Sequence, residues 1–200
     1  MSSLGVHYCA MSRKYELKRR AEKQAETRSR IVDATVSLHT TEGPARTTIS
    51  AIAERAGVER HTVYAHFPDE LALFAACTAH WAELHPFPDP ERWLAIEDRD
   101  KRLRAALRAV YDWYASVERD IAVFERDAKV HEATSQAVAR RRARTLALRD
   151  ELSRGWPRRK SVLASLGHAL EFETWRSLVR EQGLTQKQAV DAMSTFVASV

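Results

Sequence analysis

The chain has 200 residues, a formal net charge of +5, 44% hydrophobic and 30% charged residues. That is enough apolar material to build a core in one or two domains. No apolar run approaches the roughly 18 residues that span a bilayer. The first twenty residues lack the apolar segment of a secretory signal. Cys9 and Cys77 make neither a disulfide framework nor a zinc site. The expectation is a cytoplasmic, membrane-free protein with no metal or cofactor. With only six glycines and six prolines and no alternating β-branched run, it should be all helical.

In chain order, residues 1–21 are expected to form a basic, flexible arm. From Arg13 to Lys23 the cations Arg13, Lys14, Lys18, Arg19, Arg20 and Lys23 outnumber Glu16 and Glu22. The spacing of Ile31, Ala34, Leu38 and Thr41 predicts a first helix from about Glu22 to Thr41, stopped by Gly43-Pro44. Thr47 or Thr48 caps a short helix over Ile49–Arg55, and Gly57 ends it. A third helix runs from Glu59 or Arg60 to about Phe67. Asp69 caps a fourth that reaches about Glu83. "HPFPDP", His85 to Pro90, is a loop. Further helices are expected over Asp98–Ser116, Val117–Val130, Thr134–Ser153, Arg159–Glu181 and Gln186–Val200, about nine in all. Nine cations between Arg140 and Lys160 face only Asp150 and Glu151. They read as a solvated helix connection, or as a surface for an anion.

Two short helices joined at a glycine form a helix-turn-helix. The turn needs φ > 0, which glycine adopts without steric cost. Close packing needs small or apolar inner residues, here Ile49, Ile52, Ala53, Ala56, Val58 and Val63. The second helix of such a motif enters the DNA major groove by its N-terminal end. Arg60, His61 and Thr62 stand there, suited to base edges, with Tyr64 and His66 suited to phosphates. Thr47 and Thr48, at the start of the preceding helix, suit phosphates too.

"TTISAIAERAGVERHTVYAHFPDELALF", Thr47 to Phe74, resembles the DNA-binding segment of the TetR family of bacterial transcriptional regulators. The resemblance implies an N-terminal DNA-binding domain (22–68) and a larger helical effector-binding and dimerisation domain (69–200). It implies a homodimer on palindromic operator half-sites, released by a small molecule. DNA contacts would fall on Thr48, on Arg60 to Thr62, and on Tyr64 and His66. The last two helices would form the dimer interface, with Leu163, Leu166, Leu170, Val190, Met193, Phe196 and Val197 as candidates. One departure is Glu70, which stands where the family usually has a phosphate-binding lysine.

The later residues are rich in aromatic side chains. Trp81, Trp113, Tyr114, Phe124, His131 and Trp175 are the candidates to line an effector site, for an aromatic or largely apolar molecule. No nucleophile–base order, glycine-rich phosphate loop or HExxH occurs, so an enzyme is not expected. The reading is a ligand-responsive DNA-binding regulator acting as a repressor. The alternative is a helical dimeric interaction protein with weak or no specific DNA binding.

Overall fold

The computed structural model describes the backbone of residues 4–200 and the side chains of residues 15–200. The side chains of Cys9, Arg13 and Lys14 lie outside the described residues. Ten α-helices and no strand occur among the described residues. The chain divides into two compact units, residues 1–81 and 82–200.

In the first unit α1 is a single helix, Leu4–Thr41. It begins well before the expected Glu22, and the arm expected over 1–21 is helical from Leu4. The cause is local: no glycine or proline occurs between Val6 and Thr41, and Lys, Arg, Glu and Ala dominate the added turns. Gly43, at φ 101°, turns the chain into a 3-10 turn, Pro44–Arg46. Then follow α2 (Ile49–Ala56), α3 (Arg60–His66) and α4 (Glu70–Leu84). Asp69 Oδ1 accepts from Ala72 N at 2.7 Å and caps α4. Ile31, Val32, Ala34 and Leu38 from α1 pack with Ile52, Val63, Phe67 and Leu73 in one buried cluster. Leu73 draws α4 into that cluster, so the segment expected over 22–68 shares its core with the next helix. Thr41, expected on the inner face of α1, is exposed, and His39 is buried instead.

The second unit holds α5 (Glu91–Leu94), α6 (Arg99–Asp127), α7 (Glu132–Leu152), α8 (Lys160–Leu170), α9 (Phe172–Arg176) and α10 (Gln186–Ala198). Asp98 caps α6 through Lys101 N, and His131 caps α7 through Thr134 N. Thr185 and Gln188 form a reciprocal capping box on α10. The two helices expected either side of residue 117 are one kinked helix, with Val117 at φ −122°, ψ 15°. Ser116 Oγ donates to Trp113 O at 2.7 Å beside the kink, a back-bond of the type that bends helices.

The single helix expected over Arg159–Glu181 is instead broken. Glu171 is extended, at φ −72°, ψ 141°. α9 then passes into a π-helical turn, Ser177–Glu181. No glycine or proline lies between Ala169 and Gln182 to announce this. The break is held from outside: Tyr111 Oη donates to Ala169 O at 2.8 Å, and Tyr114 Oη donates to Leu170 O at 2.7 Å. Two carbonyls released at the end of α8 thus receive buried donors from α6.

Candidate nucleic-acid interface and effector region

The turn between α2 and α3 is built as its sequence requires. Gly57 sits at φ 64°, ψ 42°. Val58 N reaches back to Ala53 O at 3.0 Å, and Gly57 N to Glu54 O at 3.1 Å, a Schellman-type close. Ile49, Ile52, Ala53, Ala56 and Val63 are buried, and Val58 is half-buried. Burying Val63 leaves the opposite face of α3 outside. Arg60, His61 and Tyr64 are exposed, while Thr62 and His66 are half-buried. The Thr62 hydroxyl lies 3.5 Å from His61 Nε2.

Of the two threonines before α2, Thr48 is the cap, accepting from Ala51 N at 3.2 Å. Thr47 is half-buried, and its hydroxyl donates to Gly43 O at 2.9 Å. Its donor is therefore spent inside its own turn.

The arginines of this unit divide in a way that the sequence pattern did not reveal. Arg28 lies over the Phe67 ring at 4.8 Å. Arg30 Nη1 donates to Ala56 O at 3.3 Å, and Arg55 Nη1 to Ser37 Oγ at 2.8 Å. Arg46 Nε donates to Glu42 O at 3.0 Å. Arg60, on the outer face of α3, makes no such contact among the described residues. Arg60 on α3 is thus exposed, as are Arg19, Arg20 and Lys23 on α1, while Arg28, Arg30, Arg46 and Arg55 are exposed but held by neighbours in the same unit. Glu70 is exposed in the first turn of α4.

In the second unit three of the expected effector residues come together. Tyr114 lies 5.6 Å from the Trp113 ring and 5.9 Å from Trp175. Phe172 and Phe87 complete the set: Phe172 is 5.3 Å from Tyr114, and Phe87 is 5.1 Å from Trp113. Those two phenylalanines were not singled out from sequence, because Phe87 sits in a loop and Phe172 follows the unannounced break. Tyr114 and Trp175 are fully buried, and Trp113 is half-buried with Nε1 donating to His85 O at 3.2 Å. Trp175 Nε1 donates to Gln186 Oε1 at 2.7 Å. Arg141 and Thr145 on α7 lie within hydrogen-bonding reach of the Tyr114 hydroxyl, whose pKa burial pushes well above the usual phenol value. Arg180, in the π turn, pairs with Glu118 just past the kink at 2.7 Å and lies over Trp175 at 5.5 Å.

The other candidates are placed elsewhere. His131 is a helix cap, Phe124 is half-buried on α6, and Trp81 is half-buried in the first unit. Four of the expected dimer residues, Leu166, Leu170, Val190 and Val197, are at most 4% exposed in the single chain. They are core residues of this subunit, and they have almost no surface left to give a second one. Leu163 and Met193 are half-buried and Phe196 is 42% exposed, with His168 edge-on to it at 6.2 Å. The Cys77 thiol is buried against His39 Nδ1 at 3.5 Å, and burial pushes its pKa up to about 12. It is an inert core group.

A helical chain that aims a short helix outward from a glycine turn, with arginine, histidine and tyrosine on the open face, is a helix-turn-helix protein of the groove-reading type. Residues 31–77 match the family described as bacterial regulatory proteins, tetR family. Residues 31–77 thus carry the DNA-binding unit of that family, and the fold of the chain is similar to that of its members. It is 39% identical over 72 residues to the HTH-type transcriptional regulator SrpR of Pseudomonas putida, a match covering 34% of each chain. The matches thus span between about a third and about half of the length of the curated relatives. Over the whole fold it is similar to NalD, the secondary repressor of the MexAB-OprM multidrug efflux pump in Pseudomonas aeruginosa. That likeness has a TM-score of 0.60 at 18% identity, covering 89% of this chain and 96% of that one. The SmeT–triclosan complex gives a TM-score of 0.60 at 20% identity, covering 86% and 90%. Among the described residues no helix is long and apolar enough to cross a membrane.

Proposed function

We propose that this protein is a DNA-binding repressor that a small, largely apolar or aromatic molecule releases from its operator. The observation that carries the reading is the outward face of α3, where Arg60, His61 and Tyr64 stand exposed on a helix whose other face is locked by Val63. Arginine offers two donors to a guanine edge, and tyrosine offers a phosphate contact. The protein works as a homodimer, because operator half-sites one helical turn apart need two reading helices. Leu163, Met193 and Phe196 supply the outward apolar part of the dimer face.

The effector binds beside Phe87, Trp113 and Tyr114, with Arg141 and Thr145 as polar neighbours. That region adjoins the kink in α6 and the break after α8, two places where the backbone has already left regular helix. NalD, the secondary repressor of an efflux pump, and SmeT, in complex with triclosan, support an apolar effector by analogy.

A gel shift on DNA flanking the gene, run across a salt series, tests the reading. A specific complex whose affinity falls steeply with salt is expected. Tyr64→Ala should weaken every operator variant alike, whereas Arg60→Ala should change base preference. Failure to enrich any sequence from a randomised pool would overturn the proposal. It would favour the second reading, a helical interaction protein, for which exposed Glu70 and the arginines already held by neighbours in their own unit speak.

A further inference from the structure

The outward face of α3 leaves one part of the first unit unused, the stretch of α1 that precedes its core contacts. From residue 15 to residue 26 every residue is exposed, including Tyr15 at 64% and Leu17 at 59%. Burial begins with Thr27, which is half-buried, and is complete at Ile31. The helix therefore projects for roughly three turns before it enters the core.

A helix repeats each face every three to four residues. Leu38, Ala34 and Ile31 line the buried face of α1, packed in one cluster with Ile52 of α2 and Val63 of α3, and Thr27 continues that face. Steps of four and three residues further back reach Lys23 and Arg20. The stripe that packs on α2 and α3 thus runs on past the core as two cations, with Arg19 at its edge and Glu16 one turn beyond Arg20. Lys18 stands on the opposite side, 3.8 Å from Glu22. Where the apolar stripe ends, two arginines fasten α1 to the helix-turn-helix. Arg28 lies over Phe67, the C-cap of α3, at 4.8 Å, and Arg30 Nη1 donates to Ala56 O, at the end of α2, at 3.3 Å. Lys23 and Arg20 follow from that clasp along one continuous helix, about 10 and 15 Å from Arg30 by the helical rise.

The charge on α3 itself is thin. Arg60 is its one formal cation, with Glu59 before it and Asp69 and Glu70 after it. Affinity for a duplex comes largely from Lys and Arg set against phosphates. Arg20 and Lys23 supply such charges without competition, because neither is paired with a carboxylate among the described residues.

We infer that the Arg20–Lys23 stripe of α1 is a second DNA-contact surface, seated on the phosphate backbone of the duplex that flanks the half-site read by α3. The inference rests on the DNA-binding reading of α3. The stripe suits a duplex because its charges are held on a helix fastened to the helix-turn-helix, so they keep a fixed distance from the reading face. The 10–15 Å that separate them from Arg30 correspond to about three to four base pairs of duplex. Glu16, next on the same stripe, repels a phosphate and bounds the contact.

The test uses the full-length protein and a duplex enriched from a randomised pool, extended by one helical turn on either side. Fluorescence anisotropy follows binding across a potassium chloride series. Arg20→Gln and Lys23→Gln keep helix propensity, and each should make the logarithmic salt dependence shallower by about one. Together they should weaken binding roughly tenfold to a hundredfold at 0.1 M salt. Lys18→Gln removes the same charge from the opposite side and should leave slope and affinity as in the wild type. On a duplex that ends at the half-sites, the wild type and the double variant should bind alike. Unchanged slopes for Arg20→Gln and Lys23→Gln, on a complex that is still specific, would overturn this inference and leave the reading of α3 standing. An equal fall for Lys18→Gln would overturn it too, as a diffuse effect of net charge. Intact DNA binding in the double variant, with loss of sedimentation on phosphatidylserine–phosphatidylcholine vesicles, would assign the stripe to a lipid surface and likewise overturn it. If the wild type enriches no sequence at all, the reading of α3 falls and this inference falls with it.

Discussion

The turn at Gly57 and the break at Glu171 interrupt helices in opposite ways. At Gly57 everything needed is within five residues: a left-handed glycine and two backbone N–H groups that close onto Ala53 and Glu54. At Glu171 the backbone is ordinary extended chain, and the donors that make the break affordable come from Tyr111 and Tyr114, more than fifty residues earlier. A locally built turn holds its angle whatever surrounds it, which suits a helix that must meet a fixed groove. A break held by two side chains on another helix changes when that helix moves. The second kind of interruption is what a ligand beside Tyr114 can act on.

Four substitutions break or sharpen that contrast, starting with the largest effect. Trp175→Ala removes a fully buried indole that touches Tyr114 and Phe172. It should cost about 3–5 kcal/mol in urea unfolding. A loss below about 1 kcal/mol would mean that the aromatic cluster does not hold the break.

Tyr114→Phe keeps the ring but leaves Leu170 O without its donor, and roughly 1–3 kcal/mol should be lost. Thermal unfolding measures the loss. A near-neutral result would show the carbonyl finding water, and the break standing without its tether.

Gly57→Ala should cost about 1–2 kcal/mol, the penalty of a left-handed backbone for a residue with a Cβ. The new Cβ would meet nothing closer than Arg30 Nη1 at 3.9 Å, so the cost is conformational and not steric. Gly57→Asn should recover part of it, because asparagine tolerates this region better. Equal losses for both would point to packing as the cause.

Glu70→Lys should leave the melting temperature almost unchanged, since the residue is exposed. It should make the logarithmic salt dependence of operator binding steeper by about one, the signature of an added phosphate contact. An unchanged slope would place residue 70 away from the backbone.

From α2 onward the elements of the first unit were legible because their determinants are local, whereas the start of α1 was not. Gly57 carries its own φ, Asp69 its own cap, and the inner apolar positions repeat at helical spacing. What also escaped there were side-chain destinations. Arg28, Arg30 and Arg55 look identical to Arg60 in a string of letters, and only the structure shows three of them held at the surface by Phe67, Ala56 O and Ser37. Thr47 and Thr48 are likewise indistinguishable until one is seen capping α2 and the other bonded to Gly43.

In the second unit periodicity could not separate Trp113 and Tyr114, which meet in the aromatic cluster, from Phe124 and His131, which stand apart from it. It ran one helix through residues 159–181, because no breaker interrupts that pattern. It also credited Leu166, Leu170, Val190 and Val197 to a partner subunit. An apolar stripe says that a face is buried, not by whom.

By itself the sequence determined the helical class, the reading helix and its glycine turn, since each depends on residues within a few positions of one another. Only the tertiary structure decided which charges face outward, where α8 breaks and which aromatics meet. Those outcomes depend on donors and acceptors brought together from distant parts of the chain, as with Tyr111 and Tyr114 on the end of α8.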